Sequence, residues 1–263
     1  MKKLAVALFA SALSLTAVPA FAWDQSSMNA QVDQTNFSID GDCSGTLIDL
    51  QNGYILTANH CVDQKFDTVE KQEIDQKTGE VKTIKVKISR PGTASQITFD
   101  GGNPVASQLF KYTVKAHDAD HDLALIQLHA KLPNTIVAPV ATDEPVRGDH
   151  VWAVGNPFGV LYSTVTDGRV SSVQRDYRMI GIDRNSPGDE LDNQPGDNVL
   201  LQHTAPIAPG NSGGALYNDK GELIGVNVRG AAIGNIALAV TLDDVRKFLT
   251  DNGVTLPTPV ATN

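Results

Sequence analysis

The chain has 263 residues, 41% of them hydrophobic and 19% charged, with a formal net charge of −9. That length suits one large domain or two small ones around a real core. The acidity argues against nucleic acid and against an anionic membrane surface as partners, and simple solubility accounts for it.

Residues 1–22 differ in kind from the rest. Lys2 and Lys3 precede an apolar run from Leu4 to Val18, and Ala20-Phe21-Ala22 has the small-x-small form of a cleavage site. The segment reads as a secretory signal, too short and wrongly flanked for a membrane span, with cleavage expected after Ala22. Removal leaves 19 basic against 30 acidic residues, a net charge of −11. No later run is long enough to cross a bilayer, so no membrane contact is expected after signal removal, and the location is periplasmic or secreted. Cys43 and Cys61 are the two cysteines. In an exported chain an even pair favours a disulfide, with a free thiol or a metal ligand as alternatives.

Short strands dominate the rest of the chain. Cys43 to Ile48 and Tyr54 to Thr57 lie between Gly and Asn turn signals. Lys77-Thr78-Gly79 reads as the turn of a charged hairpin whose return limb is Val81 to Ser89. Leu123 to Leu128 is nearly all apolar, as a strand buried on both faces would be. Lys131 to Asp149, with three prolines, reads as a connector between two halves. Further strands are expected at Val151 to Val154, Gly168 to Gln174, Val199 to Gln202, Leu223 to Val228 and Ile236 to Val240, with Asp176 to Asp197 as a long polar loop. One helix is expected near the end. Thr241 caps it, Asp243 and Asp244 suit its first turn, Leu242, Val245, Phe248 and Leu249 form its stripe, and Gly253 ends it. Many short strands with Gly, Pro and Asn turns indicate an all-β barrel or sandwich.

Three segments carry chemistry together: Thr57-Ala58-Asn59-His60-Cys61-Val62, Asp122-Leu123-Ala124-Leu125-Ile126, and Pro209-Gly210-Asn211-Ser212-Gly213-Gly214. Each alone has a bland reading: a buried histidine, a strand start, a tight turn. Acyl transfer explains the combination. A serine hydroxyl needs a base within reach, and a histidine with a pKa near 7 accepts and returns the proton. The base needs an aspartate to fix its tautomer. The anionic intermediate needs donors, and glycines let the N–H groups of Gly210 and Ser212 converge. The expected catalytic set is His60, Asp122 and Ser212, without cofactor or metal.

These motifs resemble those of trypsin/chymotrypsin-type serine peptidases. TANHCV, DLALI and GNSGGAL are similar to the family's histidine, aspartate and serine motifs. Ala153 to Gly159, Thr164 to Ser171 and Gly221 to Val226 are similar to the bacterial HtrA (Deg) protease domains, and the likeness spans about residues 40 to 250. It implies two antiparallel six-stranded barrels with a cleft between them: barrel one over about 30–132, barrel two over about 145–242, and a C-terminal helix over about 242–252. It also implies polypeptide substrates and supports pairing of Cys43 with Cys61. HtrA proteins carry PDZ domains after the protease unit. The chain ends too soon for one, so trimerisation is not carried over and the oligomeric state stays open.

Departures from the relatives matter. Asn211 stands where digestive enzymes carry the aspartate that pairs with a new N-terminus, so activation by that pair is not expected. Pro206 stands six residues before the serine, where Lys/Arg specificity requires an acid. With Ile207, Val228, Gly230 and Ala237 as expected pocket walls, small to medium aliphatic P1 residues are anticipated. Arg229 and Asn227 nearby offer an acidic P1 as the alternative. His117, Asp118, Asp120 and His121 are read as a solvated loop before Asp122, against a divalent-metal reading whose spacing needs a helix. The competing functional readings are a catalytically silent trypsin-like fold used for binding and a metal-dependent hydrolase built on the His117 region.

Overall fold

A computed structural model describes residues 23–75, 77, 80–100, 103–176, 199–230 and 235–256. In chain order these form α1 (Gln25–Thr35), β1 (Asn36–Ile39), β2 (Cys43–Asp49), β3 (Tyr54–Thr57), β4 (Phe66–Ile74), β5 (Val81–Ser89), β6 (Gly92–Asp100), β7 (Asn103–Asp118), β8 (Leu123–Leu128), β9 (His150–Gly155), β10 (Thr164–Asp176), β11 (Val199–His203), β12 (Ala215–Asn218), β13 (Leu223–Gly230), β14 (Ala237–Val240) and α2 (Leu242–Asp251). Two closed antiparallel barrels result. One runs β1-β2-β3-β8-β7-β6 and the other β10-β11-β14-β13-β12-β9. β4 and β5 form a separate two-stranded ribbon. Among the described residues no helix is long and apolar enough to cross a membrane.

The apolar run at Leu123 has a direct physical cause. Successive side chains of a strand point to opposite faces. Ala124, Ile126 and Leu128 fill barrel one with Phe37, Leu47, Ile55 and Tyr112. Leu123 and Leu125 point the other way and join Leu56, Ile48 and the second barrel's core. β8 is thus buried on both sides, and the strand that follows Asp122 is held between the two halves.

α2 behaves as its residues dictate. Thr241 Oγ1 accepts from the Asp244 N–H at 3.3 Å, and Leu242, Val245, Phe248 and Leu249 are its buried face. Gly253 at φ +73 turns the chain after it.

Three expectations need correction. A second helix, α1, precedes barrel one. Asp24 caps it by accepting from the Ser27 N–H at 2.9 Å. Its buried positions are Met28, Gln31, Val32 and Thr35, a helical spacing half carried by polar residues. Gln31 Nε2 donates to the Gly221 carbonyl at 2.8 Å, so this face bonds to barrel two rather than merely packing on it. Second, His117 and Asp118 are not loop residues: β7 continues through Asp118, which pairs with Leu123. Third, the expected strand at Gly168 is longer, because β10 begins at Thr164 and pairs with β9 from Gly155 onward. The polar loop after Asp176, the signal segment and most of the Lys77-Thr78-Gly79 turn lie outside the described residues.

Candidate active site

β3 ends at Thr57 and passes into a 3-10 turn over Asn59–Cys61, which lifts His60 to the rim of the cleft. β3 and β8 pair with Thr57 opposite Ala124, so the residue entering β8 lies beside that turn. Asp122 is that residue. It is 5% exposed and sits in the left-handed region at φ +54. Its Oδ1 accepts the His60 backbone N–H at 2.9 Å and its Oδ2 lies 2.7 Å from His60 Nδ1. Both carboxylate oxygens therefore serve one residue. Desolvation opposes the imidazolium. The hydrogen bond and charge of Asp122 outweigh it, with Arg229 against and Asp63 in favour, and the His60 pKa stands above its ordinary 6.5.

Ser212 reaches the same place from barrel two. Its carbonyl accepts the Ser44 N–H at 2.8 Å, which ties the loop to β2. Ser44 Oγ donates to the Gly210 carbonyl at 2.7 Å, and the Phe158 N–H donates to the Pro209 carbonyl at 2.6 Å. A peptide's N–H points opposite to its carbonyl, so holding the Pro209 carbonyl turns the Gly210 N–H the other way. Among the described residues neither the Gly210 nor the Ser212 N–H has an internal acceptor. Gly210 at φ +100 has no room for a side chain, because a Cβ there would stand 2.4 Å from the Asn156 carbonyl oxygen. Gly213 is equally confined: a Cβ would meet the Ser44 oxygen and Thr57 Oγ1 at 2.2 Å.

The Ser212 hydroxyl donates to the Val228 carbonyl at 3.4 Å, a long bond. Among the described residues no hydrogen bond joins it to His60. The His60 ring is thus paired with Asp122, while the Ser212 hydroxyl is turned to the Val228 carbonyl.

A cavity of about 430 Å³ opens beside Ser212. Pro206, Ile207, Val228, Gly230 and Ala237 line it, together with Ala205, Ala208, Pro209, Arg229, Asn235 and Ile236. Asn227 does not: it is fully buried, and its amide faces Gly214, Ala215 and His203 inside barrel two. Of the two groups that offered an acidic P1, only Arg229 stands at the cavity. The Ala205, Ala208 and Pro209 walls were legible as neighbours of Pro206 in the same loop. The wall from Asn235 and Ile236 was not, because it depends on the pairing of β13 with β14.

One grouping among the described residues brings three metal-type ligands together: Cys43, His60 and Cys61. The two sulfurs are bonded to each other, so neither offers a thiolate. His117 and His121 serve elsewhere. His117 packs against Phe66 with ring centroids 4.7 Å apart and planes tilted by 45°. Asp118 caps the turn before Asp122, accepting the His121 N–H at 3.1 Å and facing His121 Nδ1 at 2.8 Å. Asn211, 2% exposed, has a buried Oδ1 with no hydrogen-bond partner among the described residues. The Trp23 backbone N–H is engaged elsewhere, donating to the Asp219 carbonyl at 2.7 Å.

Comparison with known proteins gives four consistent likenesses. Residues 43–226 match the sequence profile of the trypsin-like peptidase domain. Serine protease HTRA3 of Homo sapiens is 38% identical over 144 residues, covering 54% of this chain and 28% of that protein. Periplasmic serine endoprotease DegP of Escherichia coli (strain K12) is 33% identical over 184 residues, covering 70% of this chain and 29% of that protein. The chain thus spans under a third of the length of these curated relatives. The crystal structure of the serine endoprotease from Yersinia pestis superposes with a TM-score of 0.55 at 22% identity, over 86% of this chain and 66% of that one, a likeness of fold.

Proposed function

The chain belongs to the trypsin-like peptidase family, and from that premise we propose that it is an exported serine endopeptidase acting through His60, Asp122 and Ser212. The observation that carries this reading is the buried Asp122 carboxylate, both of whose oxygens hold His60 beside the Ser212 loop. In the proposed reaction the Ser212 hydroxyl turns from the Val228 carbonyl toward His60 Nε2. Oγ bonds to the substrate carbonyl carbon as its proton passes to His60. The charge that develops on the carbonyl oxygen is met by the N–H groups of Gly210 and Ser212, which have no internal acceptor among the described residues. The C–N bond then breaks, His60 returns the proton to the leaving amine, and water releases the acyl group by the same route. Asp122 keeps Nδ1 protonated and stabilises the imidazolium.

The cavity beside Ser212 is the proposed P1 pocket. Its Pro, Ile, Val, Gly and Ala walls suit a small or medium aliphatic side chain, and no acid among the described lining residues receives a lysine or arginine. A peptide library should show Ala, Val, Ile or Leu at P1. A profile dominated by Lys or Arg would contradict the assignment, and one dominated by Glu or Asp would transfer specificity to Arg229.

We place the mature N-terminus at Trp23. Its ring packs edge-on against Tyr217 at 5.0 Å, so the chain is seated on barrel two from its first residue after the signal. Because Asn211 carries no charge, no amine–carboxylate activation step is proposed. The relatives named as periplasmic endoproteases support an exported location. Hydrolysis of an unstructured protein such as casein tests the whole reading: wild type cleaves it, and Ser212→Ala with an unchanged circular dichroism spectrum does not. Equal cleavage by both would sink the reading.

A further inference from the structure

The interior of barrel two holds a polar pair that the proposed mechanism does not use. His203, the last residue of β11, is 0% exposed, and so is Asn227 of β13. Their backbone partners across the sheet are Val170 and Ala237 for His203 and Ala239 for Asn227, so the pair stands among small apolar residues. Asn227 Nδ2 donates to the Ala215 carbonyl at 2.8 Å and the Gly214 carbonyl at 3.3 Å. Carbonyls only accept, so the Asn227 amide has one orientation, with Oδ1 turned to His203 Nε2 at 3.1 Å. That nitrogen must carry the proton. Nδ1 is then a bare acceptor, and among the described residues it has no partner.

An unpaired nitrogen in an apolar barrel costs stability, and a leucine would fill the space without it. What the pair holds explains its presence. The Asn227 backbone accepts the Gly213 N–H at 2.7 Å and donates to the Gly214 carbonyl at 2.9 Å. With the two amide bonds, four contacts from one residue bind the segment that follows Ser212. Burial keeps the imidazole neutral, its pKa pushed down to about 4, so Nε2–H is a fixed donor across the neutral range.

We propose that His203 is a positioning residue: its Nε2–H locks the Asn227 amide, which holds Gly213 to Ala215 and thereby the aim of the Ser212 hydroxyl and N–H. The inference rests on the peptidase reading above. A purely space-filling role predicts that an apolar replacement is harmless to turnover. A positioning role predicts that it is not.

Wild type, His203→Leu and His203→Gln are compared in casein-peptide hydrolysis and in the rate of fluorophosphonate labelling at Ser212. Glutamine restores an N–H near the Nε2 position and leucine does not. His203→Leu should lose roughly 10- to 100-fold in kcat and in labelling rate, with KM moved less than about threefold, as for a buried acceptor left unpaired. His203→Gln should recover to within about threefold of wild type. Wild-type kcat in His203→Leu, or equal loss in both variants, would overturn the proposal. Nitrogen-15 NMR of the wild-type imidazole gives a test that needs neither a folded variant nor activity. A slowly exchanging proton on Nε2 is expected, and a proton on Nδ1 would refute the arrangement. If the wild type itself fails to label, the peptidase reading has failed, and the NMR result still decides the hydrogen bond.

Discussion

Asp122 is a costly residue for a strand start. A non-glycine side chain at φ +54 is strained by about 1 kcal/mol or more, and its carboxylate is almost wholly removed from water. The return is a histidine held at two points, through its backbone N–H and its ring. In the proposed mechanism His60 must be neutral to accept the Ser212 proton, so activity should rise with pH. The midpoint should lie above 6.5, because the His60 pKa is raised by Asp122 against desolvation. Asp122→Asn removes the cause of that rise. Its pH midpoint should fall, and kcat should drop by about 10⁴-fold through loss of the correct tautomer. A pH–rate profile of both proteins checks the two together. A midpoint unmoved by the substitution would mean that Asp122 does not tune His60.

Among the elements, the Cys43–Cys61 bridge links the start of β2 to the turn bearing His60, with a sequence separation of 18. Closing a loop of that size limits the unfolded chain, and replacing both cysteines by alanine should cost about 3 kcal/mol in urea unfolding. Loss of activity at unchanged stability would instead assign the bridge to His60 placement alone. Legibility at this scale tracks burial. β3 and β8 are readable because their residues are apolar on both faces, and α2 because its stripe, cap and terminal glycine agree. α1 carries no such signal, because Gln31 and Thr35 occupy half of its buried face as hydrogen-bonding groups. The outer half of β7, exposed from Asn103 to Leu109, shows no alternation because only its pairing with β6 makes it a strand.

In the whole molecule, polar bonds cross between the barrels at the cleft. Ser44 of β2 bonds the Gly210 carbonyl, Asn156 Nδ2 donates to the Phe37 carbonyl at 3.0 Å, and Asn36 Nδ2 donates to Asn156 Oδ1 at 2.8 Å. The residue types of the candidate site were legible from chemistry, since a nucleophile, base, orienting acid and glycine turn must appear together. His203 was not, because a lone histidine 24 positions from its asparagine carries no pattern. It also contributes to the acid sensitivity of the fold. Folded His203 protonates only near 4, while the unfolded chain protonates near 6.5. The unfolded state therefore binds more protons in that window, and stability falls as pH drops from 6.5 toward 4. Between pH 7 and 4.5 wild type should lose about 2–3 kcal/mol more than His203→Gln. Equal losses in urea titrations would show that His203 protonates freely in the fold.

Fluorophosphonate labelling of the protein beginning at Trp23, read by peptide mass spectrometry, asks whether His60 activates Ser212. One adduct is expected, on Ser212, and it should disappear in His60→Ala while the variant stays folded. No adduct on the folded wild type, or one undiminished by His60→Ala, would contradict a His60-activated Ser212 nucleophile.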